Sequence, residues 1–274
     1  MFTFDGLRVP VEIRGSASEA LVFLPGLGTR TRDYRTGLER LSRDLTVITP
    51  DLSFHTHRTL PDRVSTYLAL TEALARQYAP EAPWCGHSFG GLLALLGPRP
   101  AIACAPCVPI RTSLLVMFGR AVRLQLSEYG GSDGLAGARY AGQILLDYAL
   151  TVVRAPRALF PIVNDTIRGF DDLLLPHSER AVVYLSRSDS LYRPEEYVAY
   201  LDRLAPEKVR IEHLEVGHDW PIHRPDLVQQ LVMDAYAEFR GGPRAGSSAA
   251  AEPGSGGDAE VVGEGPDSPL TAEG

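Results

Sequence analysis

Ser88 stands in the run "PWCGHSFGGLLALL" (83–96), between Gly86-His87 on one side and Phe89-Gly90-Gly91 on the other. A hydroxyl in such a place becomes a nucleophile only if a base takes its proton and an acid orients that base. Two later stretches offer those groups. "YLSRSDSLYRPEEY" carries Asp189, and "VGHDWPIHRPD" carries His218. The chain order is Ser88, Asp189, His218, and what three such groups can do together is acyl transfer. A fourth stretch, "FLPGLGTR", is a glycine-rich turn whose Leu27 N–H can pair with the Phe89 N–H around an oxyanion.

The apolar spacing supplies elements to carry these residues. Residues 7–14, 20–24, 45–52 and 101–110 read as strands, as do "PWCGH", "AVVYLSRSD" and "VRIEHLEVG". Helical spacing marks "TRDYRTGLERLSRD", with Tyr34, Leu38 and Leu41 on one face. It recurs over 61–79, in "SFGGLLALL", in "RPEEYVAYLDRL" and in "RPDLVQQLVMDAYAEFR". Strand and helix alternate, which predicts an α/β fold with a mainly parallel, doubly wound sheet covered on both faces. Ser88 then falls at a strand-to-helix junction, where small neighbours are needed because backbones approach closely. Asp189 and His218 follow the last two strands, at the edge where open α/β sheets bind ligands.

Residues 111–176 interrupt the alternation. Apolar groups are dense there, Pro156 and Pro161 break the helical spacing, and no strand is evident, so an inserted helical lid is expected within a domain spanning 1–240. A greasy lid favours a substrate with a sizeable apolar part. Arg111, Arg120, Arg123, Arg139, Arg154, Arg157 and Arg168 are roughly matched there by acids, giving no sign of a specific anion site.

Other reactive residues have plainer readings. His87 reads as packing beneath the turn. His55 and His57 form an H-x-H pair with no third ligand in pattern, so no metal is expected. "CAPC" (Cys104–Cys107) lies in an apolar strand-like run containing Pro106, and with Cys85 it reads as buried small hydrophobes rather than a redox pair. Asp219 reads as a solvated or turn-forming carboxylate, and Asp171 and Asp172 as weaker rivals to Asp189. His213 and His223 carry no special context.

Taken together, the Gly86-x-Ser88-x-Gly90 motif, the late acid and the final histidine resemble the α/β-hydrolase-fold superfamily over roughly residues 7–240. The resemblance implies that Ser88 is the nucleophile, His218 the general base and Asp189 its partner, with Leu27 and Phe89 as oxyanion donors and Gly86 and Gly90 as the elbow glycines. It implies no cofactor. Two departures stand out. Pro25-Gly26 replaces the usual His-Gly, and "DLSFHTHR" (51–58) replaces the usual Asp-x-x-Gly-x-Gly. Relatives that act on epoxides or haloalkanes carry an aspartate where this chain has Ser88, so an ester or thioester is the expected substrate, small or carrier-bound. Lyases, cyclases, cofactor-free oxygenases and silent binding proteins on the same fold remain the alternative.

Composition sets the outer bounds. At 274 residues, 45% hydrophobic and 22% charged, the chain is long enough to bury a large core. Of its net charge of −7, the stretch beyond residue 241 supplies most, with six acids against Arg244. The rest is close to neutral, so a nucleic-acid partner is not expected. Residues 241–274, rich in Gly, Ala, Ser, Pro and acids, are expected to be disordered. With three cysteines, no signal-like start and no apolar run of membrane length, a cytoplasmic location without a transmembrane segment is expected.

Overall fold

The computed structural model describes residues 1–52, 63–108, 112, 114–129, 178, 180–201 and 208–241. A short antiparallel hairpin opens the chain, β1 (Phe2–Phe4) and β2 (Leu7–Val9). Its two-residue turn is Asp5-Gly6, both at positive φ (46° and 78°), the hand that matches strand twist. Seven further strands form one sheet: β3 (Val11–Arg14), β4 (Ala20–Leu24), β5 (Thr46–Pro50), β6 (Trp84–His87), β7 (Ala101–Cys104), β8 (Ala181–Ser186) and β9 (Val209–Leu214). Their spatial order is β3-β5-β4-β6-β7-β8-β9, and every pairing is parallel except β3 with β5.

Between them lie helices α1 (Arg35–Leu41), α2 (Val64–Tyr78), α3 (Phe89–Leu96), α4 (Leu114–Tyr129), α5 (Pro194–Leu201), α6 (Trp220–His223) and α7 (Pro225–Phe239). Side chains alternate across a strand, and here both faces are apolar. Val22, Leu24, Ile48, Trp84 and Val183 join Leu70, Leu74 and Leu92 in one buried cluster, on the side of α2 and α3. Leu21, Phe23, Val47, Cys85 and Val182 join Leu38, Leu41, Val228 and Val232 in the other, on the side of α1 and α7. That is the doubly wound α/β architecture expected.

Two strands are shorter than their apolar runs suggest. Residues 7–14 divide at Pro10, which has no N–H for a ladder, into β2 of the hairpin and β3 of the main sheet. β7 ends at Cys104 because Ala105 turns to φ 42°. Of the lid expected over 111–176, only residue 112 and α4 fall within the described residues. Residues 242–274 of the expected tail, His55, His57, Asp171 and Asp172 lie outside them.

Candidate active site

Parallel strands deliver their carboxyl ends to one edge, so four loops meet there. β4 leads into Pro25-Gly26-Leu27, β6 into Ser88, β8 into Asp189 and β9 into His218. The turn at Ser88 is sharp, with φ 52° and ψ −116°, a region that L-residues avoid. Its carbonyl accepts from Leu92 N–H (3.0 Å) and Cys107 N–H (2.8 Å), while Ser88 N–H donates to the Cys104 carbonyl (3.1 Å). The glycines make room. A Cβ on Gly86 would lie 2.2 Å from the Gly90 carbonyl, and one on Gly90 would lie 2.0 Å from the Leu24 oxygen.

Three side chains converge on that edge. Ser88 Oγ lies 3.0 Å from His218 Nε2, and His218 Nδ1 lies 2.7 Å from Asp189 Oδ2. Asp189 Oδ2 also accepts the Tyr197 hydroxyl (2.6 Å), and Oδ1 accepts the Leu191 and Tyr192 N–H groups (2.7 and 3.0 Å). Burial alone would raise the Asp189 pKa. The His218 charge and the donors from His218, Tyr197 and Tyr192 outweigh that and hold it below the ordinary value. An ionised carboxylate only accepts, so His218 donates from Nδ1 and its Nε2 is left to accept the Ser88 proton.

A second layer lies beneath. His87 Nε2–H donates to the His218 carbonyl (3.1 Å), and the Tyr34 hydroxyl donates to His87 Nδ1 (2.7 Å). Tyr34 in turn accepts from Gly26 N–H (3.0 Å), tying the β4 turn to the same network. Burial, then the His218 ring, lower the His87 pKa to about 4, against the pull of Asp219. His87 is therefore neutral, as this donor pattern requires. Asp219 is buried, 6% exposed, with Oδ1 3.7 Å from His87 Nε2; the solvated reading of this carboxylate does not hold, although it does lie in a turn.

His87, His218 and Asp219 bring ligand-type atoms within 4.8 Å of one another. A metal there would have to displace the hydrogen bonds that occupy the ring nitrogens of both histidines. Cys85, Cys104 and Cys107 are all buried free thiols; Cys107 Sγ lies 2.7 Å from the Tyr192 hydroxyl, and burial pushes its pKa up to about 12.

Phe89 opens α3, whose first N–H groups have no intrahelical partner. Leu27 lines the same small chamber as Ser88, about 30 Å³, together with Gly26, Thr29, Ala121, Leu124 and Leu191. The β4 turn runs hard against the elbow, since a Cβ on Gly26 would lie 3.4 Å from Ser88 Cβ. Sequence reasoning missed Tyr34, Tyr197 and the role of the His87 ring. The helical spacing puts Tyr34 on an apolar face, and nothing in that spacing shows where its hydroxyl goes. Among the described residues no helix is long and apolar enough to cross a membrane.

A family model described as the alpha/beta hydrolase family matches residues 21–231. A search of curated protein sequences finds no match. Among solved structures, the enol-lactonase from Burkholderia xenovorans LB400 is similar at 18% identity and TM-score 0.61, covering 85% of this chain and 98% of that one. A thermophilic esterase from Thermogutta terrifontis is 18% identical with TM-score 0.60, over 84% and 93% of the two chains. The thioesterase domain from the curacin biosynthetic pathway is 15% identical with TM-score 0.57, over 85% and 97%. At these identities the likeness is one of fold.

Proposed function

The chain belongs to the alpha/beta hydrolase family, and from that premise we propose that it is a serine hydrolase cleaving an ester or thioester of a hydrophobic substrate through an acyl-enzyme. In this reading Ser88 is the nucleophile, His218 the general base and Asp189 the group that orients it. His218 Nε2 takes the Ser88 proton as Oγ attacks the acyl carbon. The carbonyl oxygen becomes an oxyanion near the start of α3, where the Phe89 and Leu27 N–H groups receive it. His218 then returns the proton to the leaving oxygen or sulfur. A water, deprotonated by the same ring, releases the acid and regenerates Ser88.

The observation that carries this reading is the unbroken hydrogen-bonded series from Ser88 Oγ through His218 to Asp189, with a carboxylate held ionised by three further donors. The enol-lactonase, esterase and thioesterase among the structural neighbours carry names in keeping with acyl chemistry. Ala121, Leu124 and Leu191 over the serine suit an apolar acyl part. The test is fluorophosphonate labelling together with hydrolysis of a p-nitrophenyl acyl ester series and the matching thioesters. Ser88→Ala abolishes both signals while circular dichroism stays unchanged; turnover that survives this replacement rejects the proposal.

A further inference from the structure

Next to the Ser88 chamber lies a second and larger cavity, about 690 Å³. Helix α4 contributes to the lining of both. Val116, Gly119, Arg120 and Arg123 face the large cavity, the i, i+3, i+4, i+7 pattern of one helix side. Ala121 and Leu124, on another side of the same helix, face Ser88. The β8–α5 loop is divided likewise: Arg187 to Ser190 and Arg193 border the large cavity, and Leu191 borders the small one.

Four guanidinium groups therefore line one wall system, contributed by two segments far apart in the chain. Arg120 is clamped by Glu196 through both terminal nitrogens (2.8 and 2.9 Å), and Arg187 pairs with Glu215 (2.8 Å). Asp189 turns its carboxylate to His218, and that side chain is wholly unexposed. Among the described residues neither Arg123 nor Arg193 makes a salt bridge within 4.0 Å, although Glu196 feels the Arg193 charge, and the described lining carries a net positive charge. Counting charges along residues 111–176 could not reveal this, because Arg187 and Arg193 come from outside that segment.

We propose that this cavity receives an anionic group, phosphate or carboxylate, carried by the acyl substrate itself, with Arg123 and Arg193 as its ligands. The proposal rests on the acyl-transfer reading of Ser88. Planar guanidinium forks suit the oxygens of both anions. A helix with its side chains is about 10 Å thick, so the anion sits about that far from the scissile carbonyl. That is the reach of a leaving-group arm ending in phosphate, or of an acyl chain ending in carboxylate.

Two matched substrate pairs test it on the full chain: butyryl pantetheine against its 4′-phosphate, and p-nitrophenyl decanoate against the p-nitrophenyl half-ester of sebacate, whose carboxylate can reach that distance. In one pair the charged member has the higher kcat/KM by about tenfold, and the pair that shows it identifies the source of the anion. That ratio drops about tenfold, through KM, in Arg123→Gln/Arg193→Gln, and shrinks in about 0.5 M salt. Equal kcat/KM within both pairs, or a ratio kept by the double variant, overturns the proposal. If no ester or thioester is turned over, the acyl-transfer reading has failed separately. Calorimetric titration with 4′-phosphopantetheine, succinate and inorganic phosphate then decides the cavity alone. Binding lost in the double variant supports it, and absence of binding overturns it.

Discussion

The ring of His87 holds the backbone of His218: its Nε2–H donates to the His218 carbonyl at 3.1 Å while the Tyr34 hydroxyl fixes its other nitrogen. The residue before the elbow serine thus sets where the loop after β9 presents its imidazole. His87→Phe, which removes the donor, lowers kcat about tenfold, corresponding to ~1.4 kcal/mol. His87→Gln, with an amide N–H of similar reach, recovers much of that loss. Steady-state kinetics on one ester check both; equal damage in the two variants would mean that bulk, not the hydrogen bond, matters.

The neutral state of His87 also gives stability a pH dependence. Burial and the His218 ring bring its pKa from 6.5 to about 4 in the fold, whereas the unfolded chain carries an ordinary imidazole. Between those values the unfolded state binds more protons, so stability falls as pH falls. The full preference is on the order of 3 kcal/mol. Asp189, with its pKa held below the usual value, adds a loss at still lower pH as it protonates. Melting temperatures measured from pH 7 to about 4.5 decline in the wild type and decline less steeply in His87→Gln.

Tyr197 donates to the same Asp189 oxygen that receives His218. Tyr197→Phe removes one of the donors that keep this carboxylate ionised against its burial. The acid limb of the kcat/KM profile moves to higher pH, and stability falls by about 1–2 kcal/mol. A pH–rate profile with unmoved limbs would assign the phenol to packing alone.

The elbow is under backbone strain at Ser88 and crowded at Gly90. Ser88→Gly melts higher than Ser88→Ala, by a difference of about 1 kcal/mol, because only glycine occupies this φ and ψ freely. Gly90→Ala loses about 3 kcal/mol, since its methyl would press on the Leu24 carbonyl. Denaturant melts of the three variants rank them directly.

Much of the scaffold was readable because both faces of the sheet are buried, so Leu21 to Leu24 or Ala181 to Leu185 appear as unbroken apolar runs bounded by turns. Strand ends were readable for the same reason, and with them the neighbourhood of Ser88, Asp189 and His218. Such runs carry no alternation, however, and so cannot say which strands adjoin or that β3 runs antiparallel. Nor do they reveal a hydroxyl that leaves an apolar face. Tyr34 and Tyr197 each bury a ring while aiming oxygen at a polar partner, and only the tertiary packing decides that partner. Asp219 reads as exposed by type, yet the α6 turn folds it inward beside His87.

β7 and β8 lie side by side in register, Ala101 against Ala181 through Cys104 against Tyr184, although residues 105–180 separate them along the chain. Ladder bonds, not the connection, enforce that alignment. Beyond Cys107, whose N–H holds the Ser88 carbonyl, the connection can thus change in length and character while the three converging residues keep their places. On the acyl-transfer reading, choice of substrate is then separable from the reacting groups, and a graft exchanging the stretch beyond Cys107 is the natural route to redirecting it.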